Sequence, residues 1–210
     1  MLDIDPILIE LARERPVFHS EADFQHVLAW EIREHLRDAK GKDVKICLEV
    51  PVPPLAGEKA RRHIDILVAD VCAIEVKYKT KPQENPAEGF DLRDHSAHDF
   101  GRYEFLRDIE RLEQLIVEGL YSSGYAIMLT NDQHYWEKGR FKPTQDAAFR
   151  IHDGRIVEGT LKWADDREYR RKLSTPLVLK GRYALCWRDY SDLGFRYLVV
   201  EVREEGLRGS

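Results

Sequence analysis

The sequence predicts an α/β fold with the element order α-β-β-β-α-β: a mixed central sheet flanked by helices, followed by an antiparallel β extension. Three observations predict it. Residues 20 to 39 and 98 to 119 carry apolar side chains at helical spacing. Between them lie three runs rich in β-branched residues, and a compact apolar run, Gly124 to Leu129, follows the second helix. From Ala148 onward, short alternating runs are separated by turn residues.

The elements follow in order. Asp5 to Arg15 reads as a short helix. Ser20 is a good N-cap for the next one, with Glu21 and Asp23 in the first turn, where carboxylates oppose the positive helix end. Phe24, Leu28, Ile32 and Leu36 recur at i+4, and Gly41 is the stop. Val44 to Val50 alternates as a strand, and Pro51, Pro53 and Pro54 are expected to end it. After a charged loop from Gly57 to Arg62, Ile64 to Val68 and Ala73 to Tyr78 form two more strands around a tight turn near Asp70, completing an antiparallel meander. Lys81 to Asp94, with Pro82, Pro86 and Gly89, reads as a mobile loop. The second long helix buries Phe105, Leu106, Ile109, Leu112 and Ile116. Ala148 to Ile151, Arg155 to Trp163, Leu177 to Trp187 and Phe195 to Val202 are expected as antiparallel strands, with the basic cluster Arg167, Arg170, Arg171 and Lys172 in a linking segment. No Gly/Ser-rich linker intervenes, so one domain over residues 1–210 is expected, with a core at about 20–131 and the extension at about 146–204.

Composition narrows the function. The 210 residues are 43% hydrophobic and 34% charged, enough for a real core and incompatible with a chain disordered throughout. Lys+Arg is 33 against Asp+Glu 38, a net charge of −5, so a polyanion must be bound through a local basic patch or through metal ions. No apolar run approaches the roughly 20 residues that span a bilayer, so no membrane partner is expected. The segment MLDIDPILIELARERP lacks a basic leader followed by an apolar stretch, and Cys47, Cys72 and Cys186 are odd in number and scattered. Both features point to a reducing, cytoplasmic setting rather than a disulfide framework.

The chemistry-bearing residues are Asp65, Glu75 and Lys77. Successive side chains on a strand alternate faces, so Glu75 and Lys77 share one, and the turn near Asp70 brings the strand of Asp65 alongside. Mg²⁺ takes oxygen ligands, typically one or two carboxylates plus waters and phosphate oxygens. Asp65 and Glu75 supply carboxylates, and the backbone carbonyl of Val76 can supply another oxygen. Lys77 offers a compact positive charge to a phosphate or an attacking water. The flanking Ile64, Ile66, Val68, Ile74 and Val76 make bare burial of these charges costly unless they are paired or bind a cation. The plain alternative is a Glu-x-Lys ion pair on a solvated sheet.

The segment RHIDILVADVCAIEVKYK, set between a helix bearing a glutamate and a long helix followed by a strand, resembles the PD-(D/E)XK, or restriction-endonuclease-like, nuclease superfamily over roughly residues 20 to 131. Asp65 matches the motif's Asp, Glu75 its second acid and Lys77 its lysine; His63-Ile64 stand where the motif's name has proline. The resemblance implies a restriction-endonuclease-like core and a phosphodiesterase that uses Mg²⁺, with Mn²⁺ as a substitute, and acts on DNA or RNA, of which DNA is the favoured reading. It also implies a glutamate from the first helix at the metal. Glu21 and Glu31 compete for this role, and Glu21, in SEADFQ, is favoured. The runner-up is a catalytically silent binding or assembly module with the same fold. Cutting both strands of a duplex favours a homodimer.

Other signals are weaker. Arg102 precedes the buried stripe of the second helix and is a candidate phosphate contact or the ion-pair partner of Asp99 or Asp65; Arg62 and Lys79 are further candidate nucleic-acid contacts. His95-x-x-His98 has a spacing compatible with a metal but no cysteine beside it. Tyr78, Tyr103, Trp136, Trp163 and Trp187 suit base stacking or, more commonly, a core. The chain contains no G-x-x-x-x-G-K-[ST], G-x-G-x-x-G, C-x-x-C or G-x-S-x-G.

Overall fold

The computed structural model describes residues 2–41, 43–53, 62–69, 71–84, 89–95, 97–139, 144–164 and 176–207. Helix α1 (Ile4–Glu14) starts at Asp3, whose carboxylate accepts from Asp5 N–H, and buries Ile4, Ile7, Leu8 and Leu11. Helix α2 (Glu21–Lys40) is capped as its sequence requires. Ser20 Oγ accepts from Asp23 N–H at 3.1 Å, and Gly41, at φ +65°, closes the other end by donating to Arg37 O. Phe24, Leu28 and Ile32 are fully buried, a contribution of roughly 1.5–3 kcal/mol each.

Strands β1 (Ile46–Val52), β2 (Arg62–Val68) and β3 (Cys72–Lys79) form the antiparallel meander. Helix α3 (His98–Val117) then crosses over to β4 (Ser123–Thr130), which pairs parallel to β3. After β5 (Ile156–Leu161) and β6 (Leu177–Ala184), β7 (Trp187–Ser191) and β8 (Phe195–Arg203) return to the central sheet, whose order is β1-β2-β3-β4-β8-β7; a one-turn helix α4 (Glu204–Leu207) follows. The fold is thus α/β with a mixed six-stranded sheet containing one parallel pair, and a second, two-stranded antiparallel sheet, β5-β6. Helices α1 and α2 cover one face, packing on Ile66, Ile74, Val76 and Ile127. Helix α3 and the β5-β6 pair cover the other, packing on Ala73, Ala126, Met128 and Leu198. Among the described residues no helix is long and apolar enough to cross a membrane.

Five local expectations change. β1 runs through Pro51 to Val52, because β1 is an edge strand and a proline there costs no ladder bond on the open side. Ala148 to Ile151 is not a strand: Ala147–Phe149 forms a 3₁₀ turn, closed by Phe149 N–H to Asp146 O. The expected strand Leu177–Trp187 is two strands, because Leu185 leaves the ladder to exchange hydrogen bonds with Gly154 and Arg155. The C-terminal strands are also not all one extension, since β8 pairs with β4 along eight residues and completes the central sheet. The segment expected as a mobile loop is pinned in its described part. Leu92 N–H donates to Gln83 O, His95 N–H to Thr80 O, and Leu92 is buried. Asp70, Arg61 and the 167–172 cluster lie outside the described residues.

The β5-β6 layer is held by acids of α3. Glu113 is buried and accepts from Lys180 N–H, Gly181 N–H and Tyr183 Oη, at 2.9, 2.7 and 2.7 Å; Glu110 accepts from Val178 N–H. Glu113→Ala leaves three donors without their acceptor and is expected to destabilise the protein by about 3 kcal/mol or more, read as a lower urea midpoint. An unchanged midpoint would show that this layer is not docked through Glu113.

Candidate active site

The site is built on β3. Its residues Ile74, Val76 and Tyr78 pack toward α1 and α2, which leaves Glu75 and Lys77 directed at α3. The pairing of β2 with β3 runs from Val68–Cys72 to Ile66–Ile74 and stops there. Beyond that point two carboxylates take over the N–H groups that β3 presents on its β2 side. Asp65 Oδ2 accepts from Val76 N–H at 2.7 Å, and Glu21 Oε2 accepts from Tyr78 N–H at 2.8 Å. These N–H groups lie two residues apart, roughly 6–7 Å along the strand, so the two acids stand side by side. Helix α2 is held in place for this by Gln25, whose amide donates to Asp65 O at 2.7 Å and to Glu49 Oε1 at 2.8 Å. Glu49, exposed on β1, adopts φ +50°, an uncommon conformation for a residue with a side chain.

On the other side, α3 contributes Asp108 and Arg111. Lys77 Nζ lies 2.8 Å from Asp108 Oδ2 and 3.2 Å from the Val76 carbonyl oxygen. Arg111 pairs with Glu75, and its Nη2 lies 3.1 Å from Asp108 Oδ1. Glu75, Asp108 and Arg111 are all buried. Four acids, Glu21, Asp65, Glu75 and Asp108, therefore surround two bases, an excess of two negative charges when all are ionised.

The electrostatics follow from this imbalance. Burial raises the Asp65 carboxyl above its ordinary value; Lys77 and the Val76 hydrogen bond oppose the rise, while Asp108 and Glu21 add to it. Burial, then Asp108, push Glu75 well above the carboxylate range despite Arg111. Burial works against the charge on Lys77, but Asp108, Glu21 and Asp65 outweigh it and hold the ammonium firmly protonated. Arg111 is likewise stabilised as a cation by Glu75 and Asp108, against the effect of burial.

Of the residues singled out in the sequence, Glu21, Asp65, Glu75 and Lys77 thus meet along β3. Glu31 does not: it faces the acids Glu14, Glu34 and Glu10, which with burial raise its carboxyl. The solvated Glu75–Lys77 pair is also absent, since Lys77 takes Asp108 and Glu75 takes Arg111, both on α3. Arg102 pairs with neither Asp99 nor Asp65; it holds Asp146 at 2.6 Å and the His134 carbonyl. Lys79 ends β3 half-buried, with its charge near His95, and the Arg62 side chain lies outside the described residues. His95 Nδ1 accepts from Thr80 N–H at 3.1 Å, and the ligand-type side chains grouped with His98 are Asp132 and His134 instead. Tyr78, Tyr103 and Trp187 are core residues, and Trp136 and Trp163 pack against the core. The sequence reading missed Gln25, Asp108 and Arg111. The available signal was charge at positions three and four residues from Phe105, Leu112 and Leu115, on the apolar face of α3.

No family model, curated protein or solved structure matches this chain.

Two outcomes test the buried charges. Lys77→Ala leaves buried Asp108 sharing Arg111 with Glu75 and is expected to cost about 3–5 kcal/mol, while a Lys77→Met/Asp108→Leu double variant recovers most of it; additive losses in a double-mutant cycle would show that the pair is not coupled. Asp65→Asn keeps an acceptor for Val76 N–H and removes a charge. The folded Asp65 carboxyl holds its proton to higher pH than in the unfolded chain. Its favourable contribution is therefore present below the ordinary value and lost as pH rises through the raised one. In chelator, the melting temperature of Asp65→Asn is expected to equal or exceed that of wild type, with the gap widening upward from about pH 4. A variant less stable at pH 7 than at pH 4 relative to wild type would contradict this assignment.

Proposed function

We propose that the chain is a Mg²⁺-dependent nuclease of the PD-(D/E)XK type, hydrolysing phosphodiester bonds in DNA. The observation that carries the reading is the excess of two carboxylates at β3, around a lysine whose charge burial opposes and these acids hold in place. A divalent cation balances that excess, and the acids at hand, Asp65 and Glu75 with Glu21 beside them, are the hard oxygen donors that Mg²⁺ prefers. The order supports the same reading: an antiparallel β1-β2-β3 meander, a helical crossover and a parallel β4 lie around the Asp65/Glu75/Lys77 set, and α2 delivers Glu21.

Bound there, the ion would supply charge neutralisation at the phosphorus and a more acidic water. The chain's own residues do the rest. Asp65 and Glu21 are each anchored through one oxygen to successive N–H groups on one edge of β3, which preorganises their other oxygens. Lys77, fixed between Asp108 and the Val76 carbonyl, places a permanent positive charge beside them, where negative charge grows in the transition state. Asp108 positions Lys77 and keeps it protonated.

A second reading, a silent module with the same fold, draws on one observation: Arg111 already neutralises Glu75, so a cation must compete for that carboxylate. Plasmid and single-strand cleavage with Mg²⁺ or Mn²⁺ separates the two. Asp65→Asn, expected to stay folded, should lose on the order of 10²–10³ in rate. Equal cleavage by wild type and Asp65→Asn would refute the nuclease reading, and binding of DNA without any cleavage by wild type would favour the silent module.

A further inference from the structure

A second cluster lies where the parallel strands β3 and β4 end. His98 is the first residue of α3, and Asp132 and His134 follow β4. One ligand atom from each lies within 4.8 Å of the other two, and this is the only such trio of metal-ligating side chains among the described residues. His98 Nε2 meets Asp132 Oδ2, while His134 Nδ1 stands 2.8 Å from Asp132 Oδ1. The Asp132 side chain is 2% exposed and that of His134 58%, so the cluster has a closed floor and an open side. Nothing in the nuclease reading uses these residues.

The carboxylate is fixed independently of the two rings. The backbone N–H of His134 donates to Asp132 Oδ1 at 3.0 Å, the Lys81 ammonium lies 3.1 Å from the same oxygen, and Asp132 N–H is tied to Thr130 Oγ1. The carboxylate is thus held in place before either ring is counted. Two imidazoles aimed at such an anion offer either two protons or two lone pairs. As lone pairs, they complete a two-histidine, one-carboxylate donor set on three different chain positions.

We propose that His98 Nε2, the Asp132 carboxylate and His134 Nδ1 bind a divalent ion of the zinc class. Imidazole nitrogen suits Zn²⁺ and Co²⁺, whereas Mg²⁺ prefers oxygen throughout, so this site and the β3 site select different ions. Three protein ligands leave a fourth position open. His134 also lines a cavity of about 230 Å³ with Arg102, Asp146, Arg150 and His152, room enough for water or a small anion. Lys81 remains on the outer oxygen and orients the carboxylate. The position, outside the carboxyl ends of parallel strands and at the start of a helix, is where open α/β sheets bind ligands.

The test uses the full chain and Co²⁺, whose visible absorption reports nitrogen and oxygen ligation, in buffer with excess Mg²⁺ to fill the β3 site. Wild type and Asp65→Asn are expected to bind one equivalent, displaced by Zn²⁺. His134→Ala, at an exposed position that should not affect folding, and His98→Ala should each weaken binding by at least the roughly 10–100-fold that loss of an outer partner costs. Thermal melts in chelator check that the variants are folded. Absence of a Co²⁺ band in wild type, or an unchanged affinity in folded His134→Ala, would overturn the proposal and leave a proton-sharing network. Loss of the band in Asp65→Asn with retention in His134→Ala would also overturn it, by placing the ion at β3. The proposal does not depend on the nuclease reading: failure of cleavage leaves the Co²⁺ result standing.

Discussion

The architecture around the site depends on one buried contact, the charge layer between β3 and α3. Lys77 meets Asp108, and Arg111 meets Glu75 and Asp108; Glu75, Asp108 and Arg111 are buried and Lys77 is partly so. In a low-dielectric interior no member can lose its partner without a cost of several kcal/mol. The layer therefore fixes the rotation of α3 over the sheet, because a turn of the helix that removed Asp108 and Arg111 from β3 would leave two ionised side chains unpaired. The rest of α3 follows from that setting. Leu106, Ile109 and Leu112 fall into the core, and Glu110 and Glu113 reach the edge of β6.

A second constraint acts on the opposite side of β3. Once β2 ends its pairing at Ile66, the N–H groups of Val76 and Tyr78 need acceptors. The chain answers with side chains rather than backbone, Asp65 from β2 and Glu21 from α2. The same hydrogen bonds that complete the sheet hold two anions together beside Lys77. Local stability is given up for this arrangement, since burial and mutual repulsion hold Asp65 and Glu75 above their ordinary carboxyl values.

Much of this was legible in the residues. The two long helices, their N-cap at Ser20 and stop at Gly41, the β-rich meander and the buried β4 all follow from periodicity and cap chemistry, which act within a few residues. Asp65, Glu75 and Lys77 stood out as charges in apolar strands. Asp108 and Arg111 did not, because on a helix a charge at the edge of an apolar stripe looks the same whether it reaches solvent or a strand. The choice of Glu21 over Glu31 was likewise open in the sequence, where both lie on one helical face. In the fold, Glu21 reaches Tyr78 N–H while Glu31 is turned among the acids Glu10, Glu14 and Glu34.

What the sequence by itself determined is the set of elements and the alternation that puts Glu75 and Lys77 on one side of a strand, because caps, 3.6-residue and two-residue periods are local properties of the chain. The tertiary structure alone decided the partners. It carried β8 to β4, from residues whose pattern equally suited a separate sheet, and let β1 continue through Pro51 by placing it at an edge. It also brought His98 to Asp132 and His134 rather than to His95, across 34 residues of chain for the first pair. Such meetings are set by how helices and strands pack as whole bodies, and no window of sequence contains that information.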